Sequence, residues 1–320
     1  MHVLVKGAGV AGLTAAHELM AGGAAVTVHD PRRDKSVTAS WYAGGMLAPY
    51  CERESADQPV LGLGLKAAAW WESVLPGAVV RNGTLVLAPA RDSGELGRFG
   101  SRTSGFVNVD AEELADIEPD LAGRFRKGLF FRGEAHLDPR QALIALEAKL
   151  VLSGVRFQTN PTPNRDGEFD FVIDCTGYSR TNQALRGVRG EMLLLQTSDV
   201  TLSRPVRLLH PRFPVYIVPR SGQMFMVGAT MIESDATGPI TARSMMELLN
   251  AAYSLHPAFG EAVIVETGVG VRPAYTDNFP RVEQEGNVIR INGLYRHGFL
   301  LAPAMAMRAA AMVFEQEKVN

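Results

Sequence analysis

Gly7, Gly9 and Gly12 stand at the spacing G-x-G-x-x-G, between the apolar run Val3–Val5 and the helical stretch Ala11–Met20. Glycines at these intervals can bind a pyrophosphate without any charged side chain. Gly7 permits a sharp turn, Gly9 lets the backbone approach the phosphates, and Gly12 lets the helix pack close to the strand. The first turn of that helix, at Val10 and Ala11, offers free N–H groups and a partial positive charge. Asp30 closes the next strand, Ala25–His29, where its carboxylate can accept hydrogen bonds from a ribose diol. Arg32 and Arg33 follow it. They read either as contacts to the 2′-phosphate of NADP or as a solvated turn, and the acid beside them would repel that phosphate. A free diol, as in NAD or FAD, is the expectation.

The segment Thr38–Pro49 (TASWYAGGMLAP) separates those two. A nicotinamide enzyme has no special need for it. A flavoprotein must pass chain beneath the pyrophosphate and along the isoalloxazine ring, where small residues let backbone amides come close. Ser40, Gly44, Gly45 and Met46 are the expected flavin-side contacts. Asn292–Met305 (NGLYRHGFLLAPAM) is a strand, a glycine turn and a helix, with Arg296, His297, Gly298 and Leu300 near the helix start. That helix would aim its positive end at the flavin edge where charge gathers on reduction. His297 reads as a turn residue beside the ring or as a base. Arg272, in GVGVRP, follows an apolar strand. A guanidinium there either grips a substrate carboxylate or makes a structural ion pair. Tyr216, in VYIVPR, reads as a second carboxylate contact or as a sheet aromatic. No paired carboxylates, Ser/His/Asp set or metal cluster emerges, as expected when a cofactor supplies the reactivity.

The elements that must position these residues follow from patterning. Leu61–Val74 reads as a helix, Asn82–Pro89 as a strand and Asp110–Asp120 as an acid-started helix stopped by proline. Asp138–Leu152 is a helix with Asp138 as N-cap and Pro139 in its first turn. Val155–Thr159 and Phe169–Asp174 read as strands. Glu191–Gln196, Val215–Pro219 and Met224–Thr230 suggest an antiparallel sheet, and Ser244–His256 a helix. Asn287–Asn292 is a strand and Ala302–Glu317 a final helix. The expected class is α/β (α+β overall): a Rossmann-like nucleotide domain from 1–50, 130–190 and 266–320, with an antiparallel-sheet substrate domain from 51–129 and 191–265 inserted into it.

Bulk properties exclude other classes. The 320 residues suffice for a large core in two domains, and a net charge of −2 speaks against a nucleic-acid partner. The two cysteines, Cys51 and Cys175, make no C-x-x-C or zinc spacing and read as reduced thiols. Glu18 and the in-register glycines argue against a signal peptide, and no uninterrupted apolar run reaches the roughly 18 residues of a membrane span. Cytoplasmic location without membrane attachment is the default expectation. Oligomeric state is open.

Several motifs together carry a family resemblance: GAGVAGL at Gly7–Leu13, ASWYAGGMLAP at Ala39–Pro49, YIVPR at Tyr216–Arg220, VGATM at Val227–Met231, GVRPAYTDNFP at Gly270–Pro280 and YRHGFLLAPA at Tyr295–Ala304. The chain resembles the D-amino-acid-oxidase-like flavoproteins, and most of all their glycine oxidase branch of thiamine biosynthesis. Phe169–Gly177 is similar to the second FAD-associated strand and turn of two-dinucleotide-type flavoproteins, with Thr176 and Gly177 on the adenosine–pyrophosphate side. The resemblance implies noncovalent FAD and oxidation of a small amino acid such as glycine or sarcosine by hydride transfer to flavin. The imine product hydrolyses to a keto acid and ammonia, and O2 becomes H2O2. It implies that Arg272 binds the substrate carboxylate, that Tyr216 and Met231 line the pocket, and that Arg296 sits near flavin and carboxylate. A related branch attaches flavin to a cysteine before a Tyr-Thr pair; Pro273 and Ala274 stand there instead. The chain departs from the family in Asn160–Glu168, where a strand meander is cut to a turn. Three other readings remain: a dehydrogenase with a non-oxygen acceptor, a non-catalytic flavin-binding subunit, and an NAD-dependent dehydrogenase, which the Thr38–Pro49 and Asn292–Met305 segments disfavour.

Overall fold

The computed structural model describes all residues except 33, 35–37, 57, 161–167, 180–181, 210–213 and 318–320. Arg33 and most of the shortened connection 160–168 therefore lie outside the described residues.

The apolar runs at the N-terminus build a parallel sheet. His2–Lys6 pairs in parallel with Ala25–His29 on one side (Val3 opposite Val26) and with Phe171–Asp174 on the other. The full order is Arg281–Glu285, Val288–Asn292, Phe171–Asp174, His2–Lys6, Ala25–His29, Arg156–Gln158, with only the first pair antiparallel. Strands buried on both faces need continuous hydrophobic runs, and Val3, Leu4 and Val5 are almost fully buried. Helix Val10–Ala21 packs beside the C-terminal helix Gly298–Glu317 on this sheet, with Leu13, Leu19, Leu301 and Met305 in one core. The C-terminal helix passes by length and hydropathy for a bilayer span, yet 56% of that window is buried in the protein.

The second sheet holds nine strands among the described residues. It runs Ile232–Glu233, Arg186–Gln196, Met224–Gly228, Val215–Arg220, Val206–Leu208, Thr84–Leu87, Lys127–Phe131, Val107–Asp110, and Val263–Ala274 also pairs with Arg186–Gln196. It departs from the expected antiparallel sheet at one place: Val206–Leu208 runs parallel to Thr84–Leu87. Helix Ala242–Leu255 covers one face, placing Leu248 and Leu255 against Leu193, Ile217 and Val227. The two longest strands, Arg186–Gln196 and Val263–Ala274, continue past the expected divisions at 190/191 and 265/266. Lys127–Phe131 likewise belongs to this second sheet across the division at 129/130. These strands belong wholly to the second sheet, and the chain passes between the sheets in the connections 175–185 and 275–280.

Local signals explain several boundaries. Asp138 accepts hydrogen bonds from the Arg140 and Gln141 amides and starts helix Pro139–Leu152. Asp110 and Glu113 form a capping box on helix Ala111–Ile117. The expected helix Leu61–Val74 is instead two, Gln58–Gly64 and Ala67–Val74. Gly64 ends the first of them, where an added Cβ would meet Leu300 at 3.0 Å.

The final helix begins at Gly298, earlier than the expected Ala302, and so contains Pro303. Proline has no N–H for the carbonyl four residues back, that of Phe299. The Trp71 indole donates to that carbonyl instead, at 2.8 Å, while its ring stacks on Phe299 at 5.5 Å. Trp71→Phe keeps most of the buried ring but leaves the carbonyl unpaired. Urea unfolding of this variant is expected to show a loss of about 1–3 kcal/mol; an unchanged midpoint contradicts this account of Pro303.

Candidate active site

The glycine turn is set by contact, not by sequence preference alone. Gly7 has φ +99°, and a Cβ there would lie 2.6 Å from the Cys175 carbonyl oxygen. A Cβ on Gly12 would lie 1.8 Å from the Gly7 oxygen. Neither glycine lines the cavity beside them; both let helix Val10–Ala21 start close to the sheet, with Gly9 as its N-cap. Val10 and Ala11 open onto the cavity, and the Val10 amide donates to Ser40 Oγ at 3.1 Å. A Cβ on Gly298 would meet Val10 Cγ1 at 3.4 Å, so the N-termini of the first and last helices abut. Both present their positive ends to the same cavity.

That cavity measures about 1110 Å³, beyond the roughly 300–1,000 Å³ of ordinary small-molecule pockets. Its wall runs from Gly9–Ala11 through Ser40, Gly44, Gly45 and Met46 to Thr176 and Gly177, and on to Arg296, His297, Gly298 and Leu300. Arg272, Tyr216 and Met231 line it too. The residues singled out from separated motifs are thus brought together, with the nucleotide turn at one part of the wall and three arginines at another. This suits FAD: a cradle that side chains would fill, next to a space larger than one small substrate needs.

Asp30 does not line the cavity, and its carboxylate is already engaged. Oδ2 accepts from the Ala8 amide at 2.7 Å and from Arg32 Nη2 at 2.7 Å; Oδ1 accepts from the Arg32 amide at 3.0 Å and Nε at 2.8 Å. Burial opposes ionisation, but Arg32 and the two amides outweigh it and hold the carboxyl below its ordinary value. Arg32 is therefore this acid's partner and not a free turn residue. Thr176 gives its hydroxyl proton to Asp174 at 2.7 Å, and Gly177 has φ +80° with open space where a Cβ would stand.

Loop Ala43–Gly45 is held by a residue that composition does not mark. Arg220, at the end of strand Val215–Arg220, donates to the carbonyls of Leu137 (2.8 Å), Ala43 (3.2 Å) and Gly44 (2.8 Å). Burial lowers its pKa to about 10, with Asp138 opposing. Gly45 has φ +76°, and a Cβ there would lie 2.1 Å from the Leu137 oxygen.

Four further side chains converge around Glu52, which patterning missed because helix Pro49–Arg53 is too short to show a period. Glu52 Oε2 lies 2.7 Å from Arg296 Nε and 3.1 Å from His297 Nδ1. Neither contact has hydrogen-bond alignment. Glu52 Oε1 accepts from the Tyr216 hydroxyl at 3.3 Å, and that hydroxyl accepts from Arg207 Nη1 at 3.0 Å. Burial pushes the Glu52 carboxyl up, but Arg296, His297 and Arg207 together hold it well below the usual carboxylate range. Burial likewise raises the Tyr216 phenol against the pull of Arg207, so it stays neutral and can donate. His297 is 2% exposed and fixed in the turn, its amide bonded to the Leu294 carbonyl and its own carbonyl to Leu301.

Arg272 differs from the other cavity arginines. Arg296 is paired with Glu52, and Arg207 with Glu54 at 3.3 Å. Arg272 has no ion pair among the described residues; its Nη1 donates to the Thr230 carbonyl at 3.0 Å. Burial depresses its pKa to about 10; Tyr295 pulls it up, Arg296 pushes it down and Glu52 pulls it up. Gly190 makes room for it, since a Cβ there would lie 2.2 Å from Arg272 Nη2. The ion-pair alternative for Arg272 therefore has no carboxylate to rest on within the described chain. Arg296, in contrast, already has its counter-charge and also donates to Ser55 Oγ and Met231 Sδ.

Glu134 holds the Glu52 helix from behind. It is 1% exposed and accepts from the Cys51 amide at 2.7 Å, while Arg207 Nη1 donates to the Cys51 carbonyl at 3.1 Å. The Cys51 peptide is thus clamped from both sides. Burial raises the Glu134 pKa to about 7, the Cys51 amide and Thr84 opposing and Glu52 adding repulsion. Between the ordinary value of 4.5 and about 7, the folded chain keeps a proton that the unfolded chain has lost. Native stability then falls as pH rises through that window. Glu134→Gln keeps the acceptor and removes the titration. Its unfolding free energy relative to the parent is expected to rise by roughly 2–3 kcal/mol across the window. A difference that stays flat with pH overturns this.

A model of the FAD dependent oxidoreductase (DAO) family matches residues 2–312. The chain is 60% identical over 319 residues (99% of this chain, 98% of the relative) to a Rhizobium etli protein provisionally named thiamine biosynthesis oxidoreductase ThiO. It is 25% identical over 354 residues (98% and 93%) to glycine oxidase of Geobacillus kaustophilus. The crystal structure of glycine oxidase from that organism superposes with a TM-score of 0.83 at 22% identity, covering 98% of this chain and 94% of that one. The fold is also shared with L-proline dehydrogenase from P. horikoshii, at TM-score 0.80 and 16% identity over 98% and 93%. The protein is an enzyme that uses FAD, and the chain belongs to the DAO family of FAD-dependent oxidoreductases.

Proposed function

We propose that this enzyme oxidises a small amino acid of the glycine or sarcosine type, with noncovalent FAD and O2 as acceptor, and serves thiamine biosynthesis. The observation that carries the reading is Arg272, a half-buried guanidinium on the cavity wall with no carboxylate partner among the described residues. A partly desolvated cation without a counter-charge is unfavourable, and a substrate carboxylate would relieve that cost. The 60% identity to the Rhizobium etli protein named for thiamine biosynthesis supports the pathway, and the glycine oxidase of Geobacillus kaustophilus supports the substrate class.

The chain's own groups then have separate tasks. Arg272 takes the carboxylate and fixes its direction, as a guanidinium fork can. Glu52 pairs with Arg296 and accepts a hydrogen bond from the Tyr216 hydroxyl, which leaves Arg272 as the cavity-wall guanidinium without an ion pair among the described residues. Met46, Met192 and Met226 give the cavity a soft apolar wall. Bound FAD supplies the two-electron acceptor for the α-hydrogen of a neutral amine. The imine released hydrolyses to the oxo acid and ammonia, or methylamine where the substrate is sarcosine.

Arg272→Ala is expected to lower kcat/KM by about 30- to 1000-fold, the value of one charge-assisted contact of roughly 2–4 kcal/mol. An activity within about threefold of the parent removes the carboxylate assignment. Anaerobic titration with glycine, sarcosine, D-alanine and D-proline reads the substrate directly, as bleaching of the flavin band. Peroxide formed under air with the bleaching substrate supports the oxidase; bleaching without peroxide favours a dehydrogenase. Acid is expected to release the FAD, and colour retained by the acid-precipitated protein contradicts noncovalent binding.

A further inference from the structure

We propose that Met231 is a site of oxidation to methionine sulfoxide by hydrogen peroxide formed in the cavity, and that this modification turns the enzyme down. The proposal takes its oxidant from the oxidase reading above. Met231 lines the cavity and is 45% exposed, whereas Met192 and Met226 on the same wall are 3% exposed. It therefore joins the cavity to solvent, and peroxide leaving the site meets its sulfur.

The surroundings favour the oxidised product. The Tyr295 hydroxyl lies 3.3 Å from Met231 Sδ and Arg296 Nη1 lies 3.5 Å from it. A thioether is a weak acceptor. Oxidation puts an oxygen, a far stronger acceptor, before two donors already in place. In the step, a sulfur lone pair forms the S–O bond while the peroxide O–O bond breaks. The departing oxygen keeps one hydrogen, takes the proton of the transferred oxygen and leaves as water. Methionine is oxidised by two electrons and peroxide reduced by two.

The consequence reaches two of the cavity arginines. Arg296, which balances Glu52 through Nε, acquires a competing acceptor at Nη1. Thr230, one residue before the methionine, gives its carbonyl to Arg272. A bulkier, polar side chain at 231 therefore disturbs the grip on a substrate acid from two directions.

Met246 and Met307, exposed by 59% and 49%, serve as references for bulk oxidation. Holoenzyme is turned over with the bleaching substrate in air, with and without catalase, and oxygen gain at each methionine is read by peptide mass spectrometry. A second sample receives hydrogen peroxide directly. Activity is measured as anaerobic flavin bleaching, which needs no oxygen. With catalase present during turnover, Met231 is expected to gain oxygen while Met246 and Met307 are spared. In the peroxide-treated sample, activity is expected to fall with the Met231 sulfoxide fraction and to return on treatment with methionine sulfoxide reductase. Met231→Leu is expected to lose a several-fold smaller share of its own starting activity. If catalase protects Met231 as fully as the references, or if Met231→Leu is inactivated as fast as the parent, the proposal is overturned. Absence of peroxide under turnover defeats the oxidase reading instead, and the peroxide-treated sample still judges Met231.

Discussion

The charge of the cavity is settled by one carboxylate. Glu52 stands on a five-residue helix, yet it meets Arg296 and His297 from the turn before the last helix and Tyr216 from the large sheet. A buried ion is tolerated only with close counter-charges and hydrogen bonds, so these segments must arrive together or not at all. Glu134 and Arg207 fix the peptide just before it, which makes the position of Glu52 a property of the fold and not of its own rotamer. Because Glu52 satisfies Arg296 and Glu54 satisfies Arg207, Arg272 alone among these three arginines lacks an ion pair in the described chain.

A second constraint is backbone proximity. The first helix starts where Gly12 passes the Gly7 carbonyl, and the last helix starts where Gly298 passes Val10. Side chains larger than hydrogen at Gly7 or Gly12 would push the first helix away from the sheet. The same economy of space recurs at Gly190, where the missing Cβ is occupied by the Arg272 guanidinium. Glycine serves phosphate approach at one end of the cavity and cation placement at the other.

Local features were legible in the sequence. The Gly7–Gly12 turn, the Asp138 cap and the acid-rich helix start at Asp110 each depend on residues a few positions apart, and each lies where the sequence implied. Helix starts without such signals were not. The last helix starts before its proline because Trp71, distant in sequence, takes over the Phe299 carbonyl. The cavity motifs were also legible as a set, since Ser40, Gly44, Arg272 and His297 all reach one wall. Their electrostatics were not. Glu52, Glu134, Arg207 and Arg220 come from different elements and form no sequence spacing; only the crossing of strands and turns brings their charges together. Strand patterning likewise fails to show how far a long strand such as Arg186–Gln196 extends within its sheet.

Asp30 and Arg32 close on each other through three hydrogen bonds, and with the Ala8 amide they fill the acceptor positions of the carboxylate. A sugar hydroxyl reaching that acid must therefore displace a donor. The acid at the end of the second strand is thus a settled contact of the folded chain and not a vacant acceptor, and through the Ala8 amide it ties the exit of that strand to the first glycine turn.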